Sequence, residues 1–568
     1  MPSGPDRDRF EPAEMSSVFA CAPESFVFPA TMTGWISRNW TRLALAAIIV
    51  SACSLSLYWV FLVPIFQAGD EDHHFDYALN IYSAGRLLSA REAPGPWNTV
   101  ANGTRYGPPI MLHVYTLYLI HVTDEDGILT RPGTKVPAGY GTASYYRELD
   151  KHVPQSSEDA PAPDARKKYG ILTLYPFGYY GLVAAWIGLV GNFTGNRLSV
   201  LFFSARILSV ILLGLSLLLS YAIFRRLRLK PGRGLFLTAA VGFFPLTSYV
   251  SSYVQPDNLS FALVMLCCYL ALLLREKPGE MRLQVFLGLA LGALLVTKYH
   301  FYLCVLLPAV AMLVVRRAGH RQDAKRRPWK ITSAPGWLKF FAVLLLPSVL
   351  LGLVQLWVVW GSPRNTVGGN PNLDHTAIAS ALSPGGAGLV SFILHGFSDA
   401  FKNYYLGGMA FDSYWGNFGW VDVPLVIVSR PFTAAVMRVV MAVALVLLAL
   451  GLVRFVSVGR RLISVARRGR RRAALSMTFS NPLINSYFLF TALMLALYVY
   501  TSNSFTAQGR DWFPFIGAAF LASTDYLPRL LSRRRARQWF SAALMLALGL
   551  YCIAGSYYAI ETIRARYY

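Results

Sequence analysis

The chain has 568 residues, of which 55% are hydrophobic and 14% charged, with 53 Lys and Arg against 29 Asp and Glu and a mean hydropathy of +0.42. An ordinary soluble domain carries roughly 25% charged residues, so a cytosolic enzyme is excluded. The net charge of +24 lies in short blocks between apolar runs, which is the positive-inside pattern of a membrane protein and not the basic face of a nucleic-acid binder.

The unbroken apolar runs match the ~20 residues a helix needs to span a bilayer, whereas an outer-membrane barrel would show short alternating segments. The expected class is therefore all-α and polytopic, with about 11 transmembrane helices. In chain order, residues 1–42 read as a cytoplasmic tail and 43–66 as the first span. An outer loop at 67–197 follows, then spans two to seven within 198–360, a second outer loop at 361–431, and spans eight to eleven within 432–568. The predicted spans after the first are 198–223, 235–253, 259–274, 283–299, 301–315, 337–360, 432–453, 483–500, 513–527 and 540–560. Basic blocks at 225–233, 275–282, 316–330, 454–472 and 529–537 each follow an even-numbered span, which puts the N-terminus inside and the C-terminus outside. The expected location is integral to a membrane, with the two long loops on the outer face.

The run 172–190 is apolar enough to cross, but counting it would invert the basic blocks, and its clustered Tyr residues with Pro176 suit an interfacial helix. The stretch 106–120, interrupted by Pro108 and Pro109, reads the same way. No broken helix or repeated half is visible, which argues against a transporter or flippase. The six cysteines show neither metal-type spacing nor a disulfide framework.

Immediately after the first span stands Gly69-Asp70-Glu71-Asp72-His73-His74-Phe75-Asp76-Tyr77-Ala78. Four acids and two histidines against a membrane surface call for cationic partners or a use as a base. Three readings fit: acids at the start of an interfacial helix, a metal site from Asp70, His73 and His74, or a catalytic base. Lys298, at the apex of a hairpin between spans, and Arg510, at the start of the tenth, are cations that need an anion. Arg438 and Arg206 are further candidates of the same kind. Asp257 opens the fourth span, either as a helix cap or as a site residue, and Trp415, Trp420 and Asp422 form either an aromatic belt or a sugar platform.

The pattern Asp70-Glu71-x-x-His74-Phe75-x-x-Ala78 resembles the Asp-Glu signature of a domain-of-unknown-function family of bacterial membrane proteins. That family is placed in the GT-C superfamily of polyprenyl-phosphate-sugar-dependent glycosyltransferases. Tyr175-Pro176-Phe177-Gly178-Tyr179-Tyr180 resembles a stretch ending the first outer loop in such enzymes, with Tyr175 where His or Lys is usual and Phe177 in place of a second Pro. Ser251 to Asn258, Gly416 to Pro424 and Gln508 to Pro514 are similar to later signatures, with Asp511-Trp512 replacing an aromatic pair in the last.

The resemblance implies an inverting sugar transfer on the outer face, from a polyprenyl-phosphate donor to a hydroxyl of a glycan, lipid or protein acceptor. By analogy Asp70 is the base and Glu71 its tuning or positioning neighbour. Arg510 and Lys298 would bind the donor phosphate, and His74, Tyr77, Asp257, Trp415, Trp420 and Asp422 the sugar or acceptor. Besides donor and acceptor, membrane lipids are the expected partners. No cofactor is implied with certainty; a divalent metal is possible, while nucleotide loops and zinc motifs are not evident. A third reading is a non-catalytic glycan-binding subunit, in which Asp70 would be replaceable.

Overall fold

The computed structural model describes residues 30–65, 68, 71–87, 142–150, 176–277, 280–319, 334–359, 417–418, 423–424, 481–500, 509–526, 528, 531 and 533–568. The predicted eighth span, Arg438, the stretch 106–120 and most of the second outer loop lie outside them.

Helix α1 (Ala30–Leu62) is followed by α2 (Glu71–Ala84), α3 (Ala143–Asp150) and α4 (Gly178–Thr194). Then come α5 (Leu198–Arg226), α6 (Pro231–Phe243), α7 (Pro245–Val250), α8 (Pro256–Glu276), α9 (Met281–Leu295), α10 (Tyr299–Gly319) and α11 (Ala334–Val359). After a two-residue ladder of β1 (Asn417–Phe418) and β2 (Val423–Pro424) come α12 (Pro482–Tyr500), α13 (Ile516–Leu521) and α14 (Arg534–Tyr567). Five stretches are long and apolar enough to cross a membrane: Asn39–Leu62, Leu198–Arg226, Pro256–Glu276, Leu338–Val358 and Arg534–Ala565. The molecule is a helical, polytopic membrane protein.

Several predicted spans are corrected by local chemistry. The first ends at Leu62 instead of 66, because Pro64 has no N–H with which to continue the helix. The third is broken: Phe244 is extended (ψ 129°) ahead of Pro245, so α6 and α7 are separate helices. The tenth is irregular, a 3₁₀ helix (Gly509–Phe515) leading into α13 and then a π turn (Ala522–Tyr526). The predicted first outer loop does contain helices, namely α2, α3 and α4.

α1 packs against α5 and α6, α5 against α8, and α8 against α9 and α10. The α9–α11 crossing is close because Gly288 and Gly292 present a small-residue face. A Cβ at Gly288 would lie 2.8 Å from the Leu344 carbonyl oxygen and 2.9 Å from that of Val343. Pro347 leaves the Val343 carbonyl without its helical donor, so the two backbones meet where α11 is already interrupted.

The ends of the helices sort to two poles. At one, Arg226 pairs with Glu276, joining the ends of α5 and α8. At the other, Arg564 donates to the Tyr58 hydroxyl (2.8 Å) and the Tyr568 hydroxyl to the Leu62 carbonyl (3.2 Å), placing the end of α14 beside the end of α1. α4 belongs to this second pole. Its Trp186 Nε1 donates to the Ser204 carbonyl near the start of α5 (2.8 Å), and it reverses through Gly195 and Asn196, both at positive φ. A second aromatic core of Phe75, Tyr77, Tyr179, Tyr180 and Phe202 seals α2, α4 and α5 together, apart from the main core.

Candidate functional site

Four of the signature segments, 69–78, 175–180, 251–258 and 508–514, meet at that second pole. Glu71, the first residue of α2, and Arg206, eight residues into α5, are both fully buried and form a bidentate pair. Arg206 Nε donates to Glu71 Oε1 (2.8 Å) and Nη2 to Oε2 (2.5 Å). The same Oε1 accepts the backbone N–H of Val254 (3.0 Å), so the 251–258 segment is tied to the 69–78 segment. Gln255 N–H in turn donates to the Tyr179 hydroxyl (2.7 Å), which brings in the 175–180 segment. His74 Nδ1 shares a hydrogen bond with the Tyr180 hydroxyl (2.9 Å), and the Tyr77 ring lies 4.4 Å from that of Tyr180. Burial pushes the Tyr77 hydroxyl far above the usual phenol range, so it stays protonated.

A second knot lies beside the first. Lys298, in the α9–α10 turn, donates to Asp257 Oδ1 and lies 3.4 Å from Asp511 Oδ1. Asp257 is fully buried and its other oxygen accepts from Gln255 Nε2. Asp511 comes from the 3₁₀ helix of the 508–514 segment, so the last signature joins the cluster as well. Gly178 makes the remaining tie: its N–H donates to the Val296 carbonyl at 2.7 Å, an approach that no side chain at 178 would allow.

The sequence-predicted site residues therefore fall into two groups. Glu71, His74, Tyr77, Asp257 and Lys298 are gathered at one pole. Asp70, Trp415, Trp420 and Asp422 lie outside the described residues, as does the side chain of Arg510, although its backbone opens the 3₁₀ helix. Asp257 is not a cap: it is the second residue of α8, makes no capping bond and is paired with Lys298. Arg206, a phosphate candidate from sequence, is instead saturated by protein acceptors. Sequence reasoning missed the Glu71–Arg206 partnership, though a lone Arg in an apolar 29-residue helix was signal enough that an anion had to face it. It also missed Gln255 and Tyr179 as links. Among the described residues no group of three or more His, Cys, Asp or Glu side chains is placed to hold a metal ion.

The fold and this pole define a class: a polytopic helical membrane protein whose polar segments, scattered along the chain, close into one buried network. The chain belongs to the family of predicted membrane proteins called DUF2142, whose model matches residues 53–519. No curated protein matches it significantly. Among solved structures it is similar to the archaeal oligosaccharyltransferase AglB from Archaeoglobus fulgidus, solved with an inhibitory peptide and a dolichol-phosphate. That match has a TM-score of 0.38 and 12% identity over 94% of this chain and 56% of the other. The Archaeoglobus fulgidus oligosaccharyltransferase tethered to an acceptor peptide gives a TM-score of 0.37 and 14% identity, again over 94% and 56%. The apo form gives 0.35 and 13%, over 94% and 57%. The chain thus spans little more than half the length of these proteins.

Proposed function

We propose that the protein is a membrane glycosyltransferase of the GT-C type, moving a sugar from a polyprenyl-phosphate donor to an acceptor hydroxyl on the outer face. One observation carries this reading. Segments resembling family signatures, from Glu71 to Asp511, are hydrogen-bonded into a single cluster at one end of the bundle. Segments with unrelated structural duties would have no reason to converge.

The chemistry is an in-line displacement. The acceptor oxygen bonds to the anomeric carbon, the bond from that carbon to the phosphate oxygen breaks, and polyprenyl phosphate departs. The acceptor proton goes to a carboxylate, assigned to Asp70, next in sequence to the anchored Glu71. Arg510, beside Asp511, is assigned to the phosphate. His74, Tyr77, Trp415, Trp420 and Asp422 are assigned to sugar and acceptor.

The test is purified protein in proteoliposomes with polyprenyl-phosphate sugars, comparing wild type and Asp70→Asn for glycoside formation. Wild-type transfer abolished by Asp70→Asn is the expected result; retained transfer removes Asp70 from the mechanism. A transporter is the second reading, favoured by the break between α6 and α7 and the buried Thr247, Ser248, Ser251 and Ser252 that follow it. Substrate crossing the liposome with no glycosidic bond formed would select it.

A further inference from the structure

We propose that Arg206 is a positioning residue for this reaction. Through Glu71 it fixes the start of α2, and it cancels the negative charge of the residue next in sequence to the base. The inference rests on the reading above, in which Asp70 accepts the proton.

A guanidinium has five N–H donors, and each one on Arg206 has a protein acceptor. Two go to Glu71. Nη1 donates to the carbonyls of Val60 and Val63, both at 2.7 Å, and Nη2 to that of Pro64 at 3.0 Å. These carbonyls close α1, where no helical donor remains. The Val60 carbonyl would ordinarily receive the N–H of residue 64, which is a proline and has none. Pro64 thus ends α1 and creates the vacancy that Arg206 fills. With Val254 N–H on Glu71 Oε1, one ion pair fixes the end of α1, the start of α2, α5 and the segment leading to Asp257. Such a pair adds little net stability over an apolar pair of similar size. What it supplies is a single permitted geometry.

The electrostatic part follows from the sequence. Asp70, Glu71, Asp72 and Asp76 crowd one short stretch, and an uncompensated Glu71 would hold protons on its neighbour. Arg206 removes that repulsion. Among the described residues, three phenols also interact with the pair: Tyr179 of α4 with Glu71, and Tyr146 of α3 and Tyr568 at the end of α14 with Arg206. His74 lies one turn along α2, bonded to Tyr180. Burial raises all three phenols, so none takes up charge across a neutral assay range.

The experiment uses the full chain in proteoliposomes with synthetic undecaprenyl-phosphate hexoses and pentoses, reading release of undecaprenyl phosphate. Glu71→Gln, Arg206→Gln and Arg206→Lys are compared with wild type and Asp70→Asn. Displacing the base by about 1 Å lowers kcat on the order of 10²-fold, with the donor KM unchanged. Glu71→Gln leaves a bare cation that favours the ionised base, so the acid limb of the pH–rate profile moves to lower pH. Arg206→Gln leaves a bare anion, and the limb moves to higher pH, each by on the order of one unit. Arg206→Lys restores charge without the fork, giving a wild-type limb with reduced kcat. Equal losses with unmoved limbs, or a loss carried by donor KM, would overturn the proposal. Hydrogen exchange judges the clamp without turnover: Arg206→Gln is expected to speed exchange at 60–75 and 251–256 while α9 and α10 stay protected, and unchanged exchange refutes it. If Asp70→Asn retains activity, the functional reading falls, while the exchange result still decides the clamp.

Discussion

Lys298 separates two accounts of this pole, one from sequence and one from structure. Its ammonium is 13% exposed and sits between Asp257, fully buried, and Asp511, 15% exposed at 3.4 Å. Among the described residues, Lys298→Met leaves Asp257 as a buried carboxylate hydrogen-bonded only by the Gln255 amide. Breaking a buried pair in this way costs about 3–5 kcal/mol, comparable to the ~4 kcal/mol between unit charges 4 Å apart at an effective dielectric near 20. Asp511→Asn removes the more distant of the two carboxylates, 3.4 Å from Nζ, and leaves the Lys298–Asp257 pair intact, so its expected cost is the smallest of the three. The assay is SDS-titrated or thermal unfolding of the purified protein in mild detergent, with donor KM measured alongside. The expected order is a large loss for Lys298→Met, an intermediate loss for Asp257→Asn and a small one for Asp511→Asn. Should Lys298→Met cost under ~1 kcal/mol and raise the donor KM instead, Lys298 binds the phosphate and the structural argument fails.

Gly178→Ala places a Cβ 2.7 Å from the Val296 carbonyl oxygen and 2.8 Å from Val296 Cγ2, so a loss of about 1–3 kcal/mol is expected in the same unfolding assay. A cycle of Glu71→Gln, Arg206→Met and the double variant is expected to show a coupling of about 2–3 kcal/mol, and additivity within ~0.5 kcal/mol would mean the pair is not a unit. Arg206→Met is the worse single change, since it also strips the carbonyls of Val60, Val63 and Pro64. Arg510→Gln is expected to raise the donor KM about tenfold with an unchanged unfolding midpoint, as measured by initial rates against donor concentration.

The membrane class and most helix positions were legible because a bilayer demands long apolar runs and tolerates little else. α8, α10 and α12 each lie within a few residues of their predicted spans. What escaped was set by single residues with three-dimensional consequences. Pro245 splits a run whose apolar content is continuous, and Pro514 accompanies a 3₁₀ segment within a run that reads as one helix. Hydropathy averages over such positions, whereas a missing N–H acts at one carbonyl. The signature segments were readable as sequence, but their mutual bonds were not, because Glu71 and Val254 are 183 residues apart.

The charges show most clearly where sequence logic stops. That a cation inside a membrane protein needs an anion is sound physics, and it picked out both Arg206 and Lys298. It does not say whose anion. In both cases the partner is a carboxylate of the chain itself, Glu71 for one and Asp257 with Asp511 for the other. Among the described residues those three carboxylates outnumber the two cations paired with them, so neither cation is left over for a phosphate. The anionic donor of the proposed reaction would then be met by a cation beyond these pairs, and the proposed one is Arg510, adjacent in sequence to the carboxylate that already reaches into the cluster. The buried pairs, on this argument, build the frame, and the residues proposed for the chemistry are the ones next to them in sequence: Asp70 beside Glu71, and Arg510 beside Asp511.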